Sequence, residues 1–151
     1  MEGKSCFLIG HREAASELLP ELRKIVEKHI SEYGVTEFVV GRYGNFDHLA
    51  AKAVISLKRQ YPQITLSLLI PYHPAERPME TPPGFDNTYY PPGMEKVPRK
   101  LAIVRANRYM VDHVDYLIAY AWHPASNARN LVEYAHKQEA KGRILVTILG
   151  P

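Results

Sequence analysis

The sequence predicts a Rossmann-like three-layer α/β sandwich on a parallel sheet of five strands, in the order 3-2-1-4-5. Three observations carry that expectation. Short apolar runs alternate with amphipathic helical segments along the whole chain. The runs are continuously apolar instead of alternating with polar residues, as in strands covered on both faces. Right-handed crossovers then gather the exits of all the strands along one edge of the sheet, where several polar and aromatic residues fall.

Taken in order, Cys6-Phe7-Leu8-Ile9 forms the first strand, and Gly10-His11-Arg12 its exit loop. The next segment carries Leu18, Leu22, Ile25, Val26, His29, Ile30 and Tyr33 on one face at a helical period. Pro20 is tolerated only within or beside a first turn, so the regular helix begins between Ser16 and Leu19. Gly34 stops it. Glu37-Phe38-Val39-Val40 is the second strand, followed by the loop Gly41 to Asp47 and a helix reaching Gln60, ended by Tyr61-Pro62. Ile64 to Ile70 is the third strand, with Pro71-Tyr72-His73 at its exit.

From His73 to Pro98 the chain is rich in proline, glycine, tyrosine and charge, without a sustained period. This reads as a long loop of the kind that serves as a lid or mobile segment. Within it Tyr89 and Tyr90 offer either stacking surfaces for a planar ligand or packing across the domain surface. Arg99 to Val111 is helical, with Arg108 and Asp112 spaced to pair one turn apart. Asp115 to Tyr120 is the fourth strand, Ala121 to Asn127 its exit, Asn127 to Glu139 a helix, and Ile144 to Leu149 the last strand.

With 151 residues the chain is expected to form a single domain, residues 1–151. Its net charge of +3 comes from interspersed signs, and without a block of lysines or arginines a nucleic-acid partner is disfavoured. The single cysteine, Cys6, excludes an internal disulfide framework and fits a buried, inert thiol in a reducing compartment. No segment has the length and apolarity of a signal peptide or a membrane span, so a cytoplasmic protein without membrane contact is expected. No His or Cys spacing suggests a metal, and no cofactor is indicated.

The stretch Gly41-Arg42-Tyr43-Gly44-Asn45-Phe46-Asp47 is a strand-to-helix turn bracketed by glycines. Such a turn suits an anion, because glycine lets the backbone approach and the first helical N–H groups lack internal partners. Asp47 is placed to serve as the N-cap. The alternative is a tight capped turn that binds nothing. Convergence with the exits Gly10 to Arg12, Tyr72-His73 and Tyr120 to Asn127 favours a ligand, which the predicted strand order places between the first and fourth exits.

These stretches resemble the SLOG superfamily of Rossmann-like domains related to DprA and to LOG-type phosphoribohydrolases. Within it the chain is most similar to the small bacterial DUF1273/YpsA-like proteins. The matching residues are Gly10-His11-Arg12, the Gly41 to Asp47 loop with Leu49-Ala50-Ala51, Tyr61-Pro62 with Ile64, Arg108 to Ala119, and Glu133-Tyr134-Ala135. The resemblance covers nearly the whole chain and implies a domain that binds nucleotides or nucleotide-derived ligands. It implies a homodimer as well. Two departures stand out. Arg42 and Asn45 occupy positions where related loops often have glycine, and Ser126-Asn127-Ala128 replaces a second glycine-rich turn.

The candidate ligand-binding residues are therefore Gly10, His11, Arg12, Gly41, Arg42, Tyr43, Gly44, Asn45, Phe46, Asp47, Tyr72, His73, Trp122, Ser126 and Asn127. Arg12 could clamp a phosphate, Trp122 could stack on a base, and Ser126 and Asn127 could cap their helix beside an anion. The chain lacks the Pro-Gly-Gly-x-Gly-Thr-x-x-Glu motif of active LOG-type hydrolases. Glu133 is then either a carboxylate acting on a ribosyl carbon or, the simpler reading, a solvated helix residue. The expected function is ligand binding or sensing. N-glycosidic hydrolysis or transfer on nucleoside monophosphates comes second, and single-stranded nucleic-acid binding third.

Overall fold

The computed structural model describes residues 3–123 and 126–150. Its sheet has six strands, all parallel: β1 (Lys4–Gly10), β2 (Val35–Val40), β3 (Thr65–Leu69), β4 (Asn87–Tyr89), β5 (Tyr116–Tyr120) and β6 (Leu145–Ile148). Their spatial order is β4-β3-β2-β1-β5-β6. The expected order of the five longer strands is thus observed, and β4 is added at one edge.

That sixth strand corrects the reading of His73 to Pro98 as a loop without structure. Asn87, Thr88 and Tyr89 pair with Ser67, Leu68 and Leu69. Asp86 supports the pairing, because its Oδ2 accepts the Leu66 amide at 2.8 Å and also meets the Lys58 ammonium. Tyr89 packs on the core, its hydroxyl 3.4 Å from that of Tyr109, and the Tyr90 ring meets His73 edge-on. Both tyrosines therefore lie in internal packing contacts.

Alternation along the strands divides the core. Cys6, Leu8, Phe38, Val40, Leu66 and Ile118 face α1 (Leu19–Ser31) and α2 (Asn45–Leu57), while Phe7, Val39, Leu69, Leu117 and Ala119 face α3 (Ala102–His113) and α4 (Asn127–Ala140). Helices thus cover both faces of a continuously apolar sheet, as its composition requires. Pro20 sits in the first turn of α1, after a 3₁₀ turn at Ser16–Leu18. Cys6 is fully buried, and burial pushes its thiol pKa far up, which suits an inert core residue.

Arg108 and Asp112 do not pair with each other. The Arg108 guanidinium lies 4.4 Å from the Tyr134 ring centre, and Asp112 Oδ1 accepts the Tyr134 hydroxyl at 2.6 Å. Both residues therefore tie α3 to α4 through one tyrosine. No helix among the described residues is long and apolar enough to cross a membrane.

Candidate functional site

β1 and β5 are neighbours in the sheet, with Gly10 opposite Tyr120, yet the chain leaves them toward opposite faces. From β1 it turns to α1, and from β5 to α4. Diverging exits leave a crevice at the carboxyl ends of the strands. A cavity of about 530 Å³ occupies this place, within the range of about 300–1,000 Å³ common for small-molecule sites.

Two glycines bring the loops of this cavity together. A methyl group on Gly10 would lie 2.4 Å from the ring of Phe46, and one on Gly44 would lie 2.5 Å from the Cα of Arg12. The Asn45 amide closes the same junction by donating to the Arg12 carbonyl at 2.8 Å. The side chain of Asn45 reaches further along that loop and donates to the Ala14 carbonyl. Phe46 is fully buried beneath the loops. Asn45 and Phe46 thus build the cavity's frame and are not part of its lining.

Asp47 stands elsewhere than the sequence suggested. The N-cap of α2 is Gly44, so Asp47 is the helix's third residue. Its carboxylate folds back, and Oδ2 accepts the Tyr43 amide at 2.9 Å. A carboxylate of the chain itself thus occupies part of the glycine turn that was expected to receive an external anion. Burial raises the Asp47 pKa to about 6, against the opposing effect of the Tyr43 hydrogen bond. A buried acid that titrates near neutrality beside a cavity is a recognised mark of functional sites.

Opposite Asp47, the exit of β5 supplies Trp122, His123, Ser126 and Asn127; Pro124 and Ala125 of the same expected loop lie outside the described residues. His11 forms the floor between the two sides. Its Nε2 accepts the His123 amide at 2.9 Å, and its ring meets Tyr120, Trp122 and His123 edge-on. With Nε2 an acceptor, the imidazole is neutral and carries its proton on Nδ1. Burial, and secondarily His123, lowers its pKa. His11 therefore contributes no positive charge at neutral pH.

Ser126 is the N-cap of α4: its Oγ accepts the Arg129 amide at 3.0 Å and donates to the His123 carbonyl at 3.0 Å. Asn127 and Ala128, the first residues of that helix, line the cavity. Ser126→Ala is expected to cost about 1 kcal/mol of folding stability, measured by denaturant unfolding. An unchanged midpoint would show that the cap contributes nothing.

The remaining wall comes from α3 and the turn before it, which sequence reasoning missed. Lys100, Ile103, Val104 and Asn107 line the cavity at the spacing i, i+3, i+4, i+7. That spacing was a signal: it marks a second face beside the buried stripe of Ala102, Ala106 and Met110. Val104 and Trp122 are each 47% exposed, giving the mouth an apolar rim. Arg12 and Lys100 supply positive charge, and neither takes part in the described ion pairs.

The structure thus brings Gly10, His11, Arg12, Gly41, Tyr43, Gly44, Asp47, Trp122, Ser126 and Asn127 to one hollow. It places Arg42 and Tyr72 in an adjoining depression. His73 lies in neither lining; its Nδ1 accepts the Ala75 amide at 3.0 Å. Glu133 is exposed, 3.7 Å from Arg129, and is not part of the cavity lining. Among the described residues no group of three His, Cys, Asp or Glu side chains is placed to hold a metal ion.

No family model and no curated protein matches the chain. Solved structures similar to it include the Moco carrier protein of Chlamydomonas rheinhardtii, at 17% identity and a TM-score of 0.53, over 99% of this chain and 77% of that one. S. aureus TarJ in complex with NADPH is more distant, at 14% identity and a TM-score of 0.40, over 87% of this chain and 42% of that one. The first likeness is one of fold: a parallel sheet with helices on both faces.

Proposed function

We propose that this chain is a SLOG-type domain that binds a nucleotide or nucleotide-derived small molecule in the cavity between β1 and β5. The observation that carries this reading is the chemistry gathered in one hollow. Ile103, Val104 and Trp122 in the lining offer apolar surface to a planar ring. Arg12, Lys100 and the first turn of α4 offer charge and main-chain donors to a phosphate. The Asp47 carboxylate, held by the Tyr43 amide, keeps Oδ1 for a sugar hydroxyl or a ring N–H.

The phosphate belongs at α4 in this arrangement, because Asp47 would repel it at the Gly41 to Gly44 turn. A binding or sensing role is favoured over N-glycosidic chemistry, since Glu133 stands on a solvated helix face beside Arg129. A homodimer belongs to the same reading through the SLOG resemblance, and a cytoplasmic location through the fit of the single cysteine to a reducing compartment. Moco, after which one structural neighbour is named, enters as one member of the ligand panel.

Calorimetric titration of the protein with nucleoside monophosphates, the corresponding nucleosides and Moco tests this. At least one phosphate-bearing ligand is expected to bind, and Lys100→Gln is expected to weaken it roughly tenfold while leaving the nucleoside unaffected. Absence of binding across the panel, or equal affinities for the variant and the parent, would overturn the reading.

A further inference from the structure

The cavity does not end at the glycine turn. Tyr43 and Pro71 line both hollows, and beyond them lies the second depression, of about 570 Å³. Its lining includes Arg42, Tyr72, Arg77 and Met79. Two guanidinium groups are fixed there without a carboxylate partner in the described ion pairs. Arg77 lies over the Tyr72 ring, 4.3 Å from its centre, and Arg42 Nη1 rests 3.2 Å from the Met79 sulfur. A guanidinium held against a ring or a thioether has lost part of its rotamer freedom and keeps other N–H groups for a bidentate acceptor.

Neighbouring charges sharpen the contrast between the two lobes. Arg99 also approaches Tyr72, at 5.8 Å, although Glu76 at 3.1 Å neutralises it. Glu80 is the acidic member of the lining, which leaves the arginines in excess. Tyr43 lines both lobes, whereas Asp47 lines only the first, and Arg42 and Arg77 only the second. Negative charge faces the first lobe on this side, and positive charge faces the second.

Resting on the nucleotide reading above, we infer that Arg42 and Arg77 form an anion subsite outside the main cavity, and that the ligand carries a second anionic group reaching it across Tyr43 and Pro71. The ligand class is then a nucleotide extended by a further phosphate-linked unit, not a simple mononucleotide. Arg42 gains a role here at a position where the SLOG resemblance leads one to expect glycine.

The test compares adenosine 5′-monophosphate with its tetraphosphate-linked dimer, on the parent protein and on an Arg42→Gln/Arg77→Gln variant checked by thermal melting. The dimer is expected to bind the parent at least tenfold more tightly than the monophosphate. The double variant is expected to erase that advantage and leave monophosphate affinity within twofold. A monophosphate that binds as tightly as the dimer would overturn the subsite and leave the nucleotide reading standing. Equal weakening of both ligands by the double variant would show that the arginines hold the only phosphate, which also overturns it. If neither ligand binds, both readings fall.

Discussion

Gly44→Ala is expected to destabilise the fold by about 1–3 kcal/mol and to abolish ligand binding, although the backbone at this position is ordinary. Its φ of −177° and ψ of −178° are extended values that any residue adopts, so the cost does not come from the dihedral angles. It comes from proximity. The new methyl would stand 2.5 Å from the Arg12 Cα and 3.0 Å from its Cβ and Cγ, and a main-chain atom cannot swing aside like the end of a side chain. The loop after β1 must therefore shift. It carries His11 and Arg12 and accepts the Asn45 amide, so the shift opens the joint on which the cavity rests.

Gly10→Ala should behave similarly, for a different reason. There the methyl meets the Phe46 ring at 2.4–2.7 Å, inside a core where that ring is fully buried. A Gly10→Ala/Phe46→Leu pair should recover part of the loss, because the contact is between side chains that can be resized together. Gly150→Ala, with nothing within 4 Å, is the neutral control. Denaturant midpoints at constant slope are the measurement. A Gly44→Ala midpoint equal to that of the control would refute the close approach.

The same glycines show what the sequence could and could not convey. The turn between β2 and α2 was legible, and so was its gathering with the exits of β1 and β5, since apolar runs and their punctuation fix where strands end. The use made of the glycines was not. From the sequence alone the close approach points to a ligand, whereas at Gly10 and Gly44 the approaching atoms are the chain's own Phe46 and Arg12. Only tertiary contacts reveal that difference.

Asp47 changed role for a related reason. Whether a residue caps a helix or lies in its first turn depends on a boundary shift of three positions, finer than periodicity resolves. β4 is not legible in the sequence because Asn87-Thr88-Tyr89 is too short to show a period and is set among prolines and glycines. The α3 wall was visible as spacing. Lys100, Ile103, Val104 and Asn107 gained meaning only once β5 was known to lie beside β1, with α3 and α4 on the same face.

Asp47→Asn is expected to make the ligand-free protein more stable at pH 8 while weakening its ligand at least tenfold, a combination that separates a functional carboxylate from a structural one. The sign follows from linkage. The Asp47 pKa is raised from 3.8 to about 6 in the folded state, so the folded protein binds more protons than the unfolded chain between those values. The stabilising contribution is complete below about pH 3.8 and is lost as pH rises through about 6, leaving an ionised, desolvated carboxylate at neutral pH. A shift of this size corresponds to at most about 3 kcal/mol, and asparagine escapes it while still offering Oδ1 to the Tyr43 amide. Stabilisation of about 1–2 kcal/mol at pH 8 is therefore expected, shrinking as pH falls through about 6 and approaching zero only near pH 3.8, where the folded and unfolded parent are both protonated. Chemical unfolding of both proteins from pH 4 to 8 measures it. A carboxylate kept only to close the turn would show no loss of ligand in the variant. One that reads a hydroxyl or N–H of the ligand explains why the chain retains a charge that costs stability: the ionised Oδ1 accepts a hydrogen bond from the ligand that an amide nitrogen turned to the same place cannot.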